Sequence, residues 1–139
     1  MDRQLPAPGA VSEKTYLVAP EHTAAHLGSG GVPVYATPMM VLHMEETALA
    51  AVDPLLGEGR ATVGASISVR HLAPTPVGMT VRVRAELVET DGRKFSFRIE
   101  AWDDAEKIGE GEHLRVAVDL AKLSAKIAAK IGGMGTNRA

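Results

Sequence analysis

Three stretches in the C-terminal half alternate apolar and polar residues with a period of two. Val81, Val83, Ala85 and Leu87 do so within 79–88; Phe95, Phe97, Ile99 and Ala101 within Lys94–Trp102; and Leu114, Val116, Val118 and Leu120 within 109–120. That period puts one set of side chains on one face and predicts strands with a buried side. Thr90, Asp91 and Gly92 join the first two, and Asp-Gly between alternating runs predicts a hairpin. The segment 103–107 makes a second, longer connection, so the three strands read as an antiparallel meander. A fourth strand spans 61–71, with Val63, Ala65, Ile67, Val69 and His71 on one side and Thr62, Ser66, Ser68 and Arg70 on the other. Pro74 and Pro76 end it, leaving His71 where an apolar row opens to solvent.

Upstream the pattern changes to a helical one over Thr37–Val52, TPMMVLHMEETALAAV. Thr37 is expected to act as the N-cap, with Pro38 at the first helical position. Steps of 100° place Glu45 inside an arc shared with Val41, Leu42, Leu49 and Val52, so a carboxylate falls on the apolar side. Glu46 and Thr47 are expected on the wet side. A second helical pattern, Leu120, Leu123, Ile127 and Ile131, carries Lys122, Lys126 and Lys130 on its opposite flank, read as a solvated face. Gly132 and Gly133 are expected to stop it.

Nearer the N-terminus the first ordered piece is expected at 14–18, after a loose, proline-bearing arm over 1–12. Gly28, Ser29, Gly30 and Gly31 form a flexible segment just before the long helix, placed to act as a lid. His22 and His26, four apart, lack a third metal ligand nearby and read as surface histidines. One domain over 13–133 with a tail at 134–139 accounts for all 139 residues. A long, mostly apolar helix followed by antiparallel strands is an α+β plan, the hotdog arrangement, in which a curved sheet wraps the helix. The helix is apolar nearly all round, so a second copy of the chain is the natural cover and a homodimer is expected.

Composition narrows the partners. A net charge of −2, with 45% hydrophobic and 23% charged residues, gives no general attraction to nucleic acid or anionic membranes. The chain has no cysteine, which removes disulfides, thiolate metal sites and a cysteine nucleophile. No signal-like or spanning segment stands out, so a cytoplasmic location is expected.

The run VYATPMMVLHME, then GASISVRHLAPTPVGMTVRVRAEL, then IGEGEHLR, resembles the fluoroacetyl-CoA thioesterase type of hotdog protein over about residues 15–126. In that family a threonine opens the central helix, a glutamate follows eight residues on, and a histidine ends the next strand. The resemblance therefore implies catalytic roles for Thr37, Glu45 and His71, and substrate contacts for Gly64 and Arg115. It implies an acyl-CoA substrate and neither cofactor nor metal. Alternation sets Gly64 opposite the side of His71, and Arg115 opposite Leu114 and Val116. The family member that selects fluoroacetyl-CoA carries aromatic residues in the segment ahead of its threonine, whereas here that stretch is mainly Gly28, Ser29, Gly30, Gly31, Val32 and Pro33. The acyl group implied is thus small or medium and otherwise open.

Thioester hydrolysis needs an attacking oxygen, a base and donors for the oxyanion. Glu45 is the expected base with His71 as its partner, and Thr37 is either the nucleophile or an orienter of water. The helix N-terminus offers free amides to the oxyanion. Eight helical residues separate Thr37 from Glu45 by about 12 Å along the axis, too far to touch. The site is expected to bridge them through His71 and substrate, or to take Thr37 and Glu45 from different subunits. A non-catalytic acyl-CoA or small-molecule binding module is the alternative reading. A hotdog dehydratase would call for a histidine ahead of the helix glutamate or an Asp and His about five apart, and the chain has neither.

Overall fold

The computed structural model describes residues 5–136. Five strands, β1 (Val11–Leu17), β2 (Arg60–His71), β3 (Thr80–Thr90), β4 (Lys94–Trp102) and β5 (Lys107–Asp119), form one antiparallel sheet in the order β1-β3-β4-β5-β2. Helix α2 (Thr37–Val52) packs on its inner face, and α3 (Leu120–Thr136) follows β5. A short helix, α1 (Ala24–Leu27), precedes α2. This is the hotdog plan, with the meander β3-β4-β5 and both expected hairpins. Asp91 Oδ1 accepts from the amides of Arg93 and Lys94, and Asp103 Oδ1 from those of Ala105 and Glu106, so each acid closes its own turn.

The core lies between α2 and β3-β4. Val81, Val83, Ala85, Leu87, Phe95, Phe97, Ile99 and Ala101 are all buried there, as their alternation predicts, against Met40, Met44, Ala48 and Val52. The helix turns a different side inward from the arc read off its sequence. Met40, His43, Met44, Thr47, Ala48 and Val52 are buried, whereas Leu42 is 45% exposed and Val41, Glu45 and Leu49 are half-buried. Thr47, expected on the wet side, is fully buried and donates to the His43 carbonyl at 2.7 Å. A helix apolar on nearly every side carries too little periodic contrast to announce its inward face.

β5 is also reversed. Its inward residues are Gly109, Gly111, His113, Arg115 and Ala117, and Leu114, Val116 and Val118 take the outer face. The glycines admit close neighbours: a Cβ on Gly109 would lie 2.5 Å from Met40 Sδ, and one on Gly111 would strike the Ser68 carbonyl oxygen. A row with two glycines, a histidine and an arginine does not read as a core face, yet here it is one.

At the ends, β1 begins at Val11, earlier than expected, because the Gly9 amide donates to Leu87 O and Ala10 O accepts from the Leu87 amide. Helix α3 continues through Gly132 and Gly133 to Thr136. The rest of the expected arm and tail, 1–4 and 137–139, lies outside the described residues. None of the described helices is long and apolar enough to cross a membrane.

Candidate active site

The approach to α2 is held by its neighbours. Tyr35 N donates to Thr75 O at 2.8 Å and Ala36 N to His22 O at 2.9 Å, which keeps both residues extended up to the helix. Ala36 is therefore the N-cap and Thr37 the first helical residue, contrary to the expectation that Thr37 caps. Freed from capping, the Thr37 hydroxyl sits 2.7 Å from His71 Nδ1. His71 is placed by the end of β2, where Leu72 N still donates to Ile108 O at 2.7 Å before Pro74 turns the chain away. Burial pushes the imidazole below its ordinary pKa, so it is neutral near pH 7. Its Nε2 is buried without a hydrogen-bond partner among the described residues. Leaving such a group unpaired costs about 1–3 kcal/mol, so this nitrogen is an open position for another group. Ser29, Gly30 and Val32 of the glycine-rich segment border the same crevice as Thr37 and His71, which is where a lid would stand.

Glu45 stands elsewhere. Half-buried, it lines a crevice with Gly64, Ala65, Ser66, Ile67 and His113, and it does not meet His71 within the chain. The β2–β5 register explains why Gly64 belongs here. Gly64 pairs with Arg115 but Ser66 pairs with Leu114, so Ala65 is an extra residue, a bulge that reverses the alternation. Thr62 and Gly64 before it thus share a face with Ile67, Val69 and His71 after it, and the expected opposition of Gly64 and His71 is corrected. Arg115 likewise points inward and is 5% exposed. The two residues that alternation separated from the site face one another across adjacent strands: a Cβ on Gly64 would be 3.6 Å from an Arg115 guanidinium nitrogen.

Arg115 is fixed by a buried network that the sequence reading missed. Its Nε donates to Thr62 Oγ1 at 2.7 Å and a terminal nitrogen to Thr62 O at 3.0 Å, while Thr62 Oγ1 donates to Asp53 Oδ1 at 2.6 Å. The other terminal nitrogen donates to His113 Nε2 at 3.1 Å, and His113 Nδ1 donates to Ser66 O at 2.8 Å. Both ring nitrogens are consistent only with a neutral His113 protonated on Nδ1. Burial first, then the Arg115 charge, hold its pKa below the usual value. Burial also lowers the pKa of Arg115, against the opposing pull of Asp53 and Glu45. The available signal was the odd-numbered row itself, since a strand with His113 and Arg115 two apart carries polar chemistry on one face.

Beneath α2, the His43 ring stacks on Tyr16 with centroids 3.7 Å apart, the Tyr35 hydroxyl meets His43 Nδ1, and His22 lies edge-on to the same ring. His22 also accepts from the Ala19 amide at 3.0 Å, so it is a packed residue where a surface one was expected. Burial raises the Tyr16 pKa to about 12 and drives the His43 pKa down to about 4. In the unfolded chain His43 takes its proton near pH 6.5. Between about 6.5 and 4 the unfolded state binds more protons, so stability falls as pH is lowered through that window and is unaffected by His43 above it. The loss attributable to His43 reaches about 3 kcal/mol, at about 1.4 kcal/mol per unit. Urea unfolding at stepped pH is expected to show it, with His43→Gln flattening the slope; an unchanged slope contradicts the assignment.

An α-helix wrapped by a five-stranded sheet makes this a protein of the hotdog class, with a threonine–histidine pair at the helix N-terminus and a carboxylate crevice eight residues along. Residues 18–121 match the family model described as fluoroacetyl-CoA-specific thioesterase, and the chain belongs to that family. It is 38% identical over 121 residues to the fluoroacetyl-CoA thioesterase of Streptantibioticus cattleyicolor, covering 83% of this chain and 87% of that one. Among solved structures, a phenylalanine-to-alanine mutant of the fluoroacetyl-CoA-specific thioesterase in complex with fluoroacetate and CoA matches with a TM-score of 0.80 and 36% identity, over 84% of this chain and 98% of that one. A Thermus thermophilus thioesterase superfamily member matches at 0.88 and 33% identity, over 95% and 98%.

Proposed function

We propose that the protein hydrolyses a small or medium acyl-CoA thioester to the free acid and CoA, in the cytoplasm, at a site that two protomers build. The observation that carries this reading is the division of the chemistry within one chain: Thr37 and His71 share one crevice, and Glu45 and Gly64 line another, with the Arg115 guanidinium beside Gly64. Each half is incomplete. β2 lies at the edge of the sheet, so one side of its backbone is free to pair, and its Val63 is 40% exposed. Antiparallel pairing of two β2 edges about a two-fold axis turns the His71 end of one strand toward the Gly64 half of the other.

In the joined site Glu45 is the base that takes a proton from the attacking oxygen. His71, neutral and hydrogen-bonded to Thr37, presents Nε2 to the substrate or to Glu45 of the second protomer. Thr37 acts either as the nucleophile, forming an acyl enzyme, or by orienting the attacking water. The first amides of α2 and the Arg115 guanidinium supply positive potential for the oxyanion. The walls near Thr37, which include Val32, Tyr35, Leu72 and Ala73, are apolar and suit a short acyl chain. Thiol release from a panel of acyl-CoA thioesters tests the reading. Turnover concentrated on short and medium chains is expected; binding without thiol release across the panel would make the protein a non-catalytic acyl-CoA module.

A further inference from the structure

Helix α3 leaves the sheet beside the first residue of β2 and the tip of the β3–β4 hairpin. Leu120 N donates to Gly59 O at 2.9 Å and Ala117 N to Arg93 O at 2.8 Å, which brings these three segments around one groove. Arg60, Arg93, Lys122 and Lys126 line it. None of the four makes an ion pair among the described residues, whereas Arg70, Arg82, Arg84 and Lys107 are each matched to a glutamate. The groove's acid, Asp119, uses Oδ1 to accept from the Lys122 amide at 3.0 Å and so caps α3. Four unmatched cations therefore converge at one end of a chain whose net charge is −2. Such a cluster of basic side chains is built for an anion with several oxygens.

We propose that this groove binds the phosphates of the CoA moiety. The inference rests on the acyl-CoA reading above and adds the place where the nucleotide end is held. Arg60 lies four residues from Gly64 on the same face of β2, about 13 Å at 3.3 Å per residue. An extended pantetheine arm matches four to five peptide residues in length, about 15 Å, so its length suits the separation of the Gly64–Glu45 crevice from the groove. Lys122 and Lys126 stand beyond residue 121, where the family match ends, so this part of the groove is carried by the chain's own C-terminal helix.

The test compares one acyl group on two carriers: CoA, and N-acetylcysteamine, which keeps the thioester and lacks every phosphate. In the Lys122→Gln/Lys126→Gln double variant, and separately in Arg93→Gln, KM for the acyl-CoA is expected to rise about tenfold with kcat little changed. Both constants for the N-acetylcysteamine thioester are expected to stay at wild-type values. The wild-type KM for acyl-CoA should also rise with salt, and this dependence should weaken in the variants. Unchanged KM for acyl-CoA, or equal losses on both carriers, overturns the proposal. Should the wild-type protein hydrolyse neither thioester, the acyl-CoA reading fails by itself. The groove is then judged by calorimetry with CoA: a Kd about tenfold weaker in the double variant upholds it, and an unchanged Kd or no binding overturns it.

Discussion

Glu45→Gln is expected to lower kcat on the preferred acyl-CoA by about 10²–10⁴, the range that general base catalysis supplies. The amide keeps the size and much of the hydrogen-bonding capacity of the carboxylate but cannot take a proton at neutral pH, so the loss falls on kcat and leaves KM close to the wild-type value. The fold should tolerate the change. Glu45 is half-buried on the flank of α2 away from the Met40–Met44–Ala48 core, and among the described residues no hydrogen bond or ion pair depends on it. Initial rates of thiol release with the variant, beside a thermal melt that matches the wild type, separate lost chemistry from lost structure. Near-normal turnover would remove Glu45 as the base and leave Thr37 and His71 to carry the reaction.

The positions of Thr37 and Glu45 follow from the sequence because a regular helix fixes them: both bounds of Thr37–Val52 are met, and eight residues of α-helix keep the two side chains in different crevices. His71 was legible for a similar reason, since the proline-ended strand leaves its last residue at the mouth of a crevice. What the pattern hides is which way β2 and β5 face. The bulge at Ala65 has no sequence signature, because Gly64, Ala65 and Ser66 are all small and any one of them could be the extra residue. Before it the assignments on β2 invert, with Thr62 turned inward and Val63 outward, and this brings Gly64 onto the face of His71. On β5 the apolar row Leu114, Val116, Val118 is the more hydrophobic one, and simple alternation favours it for the core. The inner face instead holds His113 and Arg115, whose burial is compensated by the hydrogen bonds that Arg115 donates to Thr62 and His113 and that His113 donates to Ser66.

The Thr37 hydroxyl shows a second limit of local reading. A threonine before proline at a helix start fits the pattern of a cap, and capping is what such residues usually do. Here Tyr35 and Ala36 are drawn into extended pairing with Thr75 and His22, the helix begins one residue earlier than a capping threonine would need, and the hydroxyl is left for His71. Contacts 14 and 40 residues away in sequence decide the role of this side chain. Thr47 and His43 are a parallel case, polar residues buried because Tyr16 and Tyr35 close around them.

The most direct measurement of the account is complementation between two inactive variants. His71→Ala and Glu45→Gln chains are purified separately, mixed, unfolded and refolded together, and assayed for thiol release. If His71 of one protomer works with Glu45 of its partner, each mixed dimer regains one intact site, and random mixing returns about a quarter of wild-type activity from parents that have almost none. Mixed dimers that form and remain as inactive as either parent would contradict the shared site.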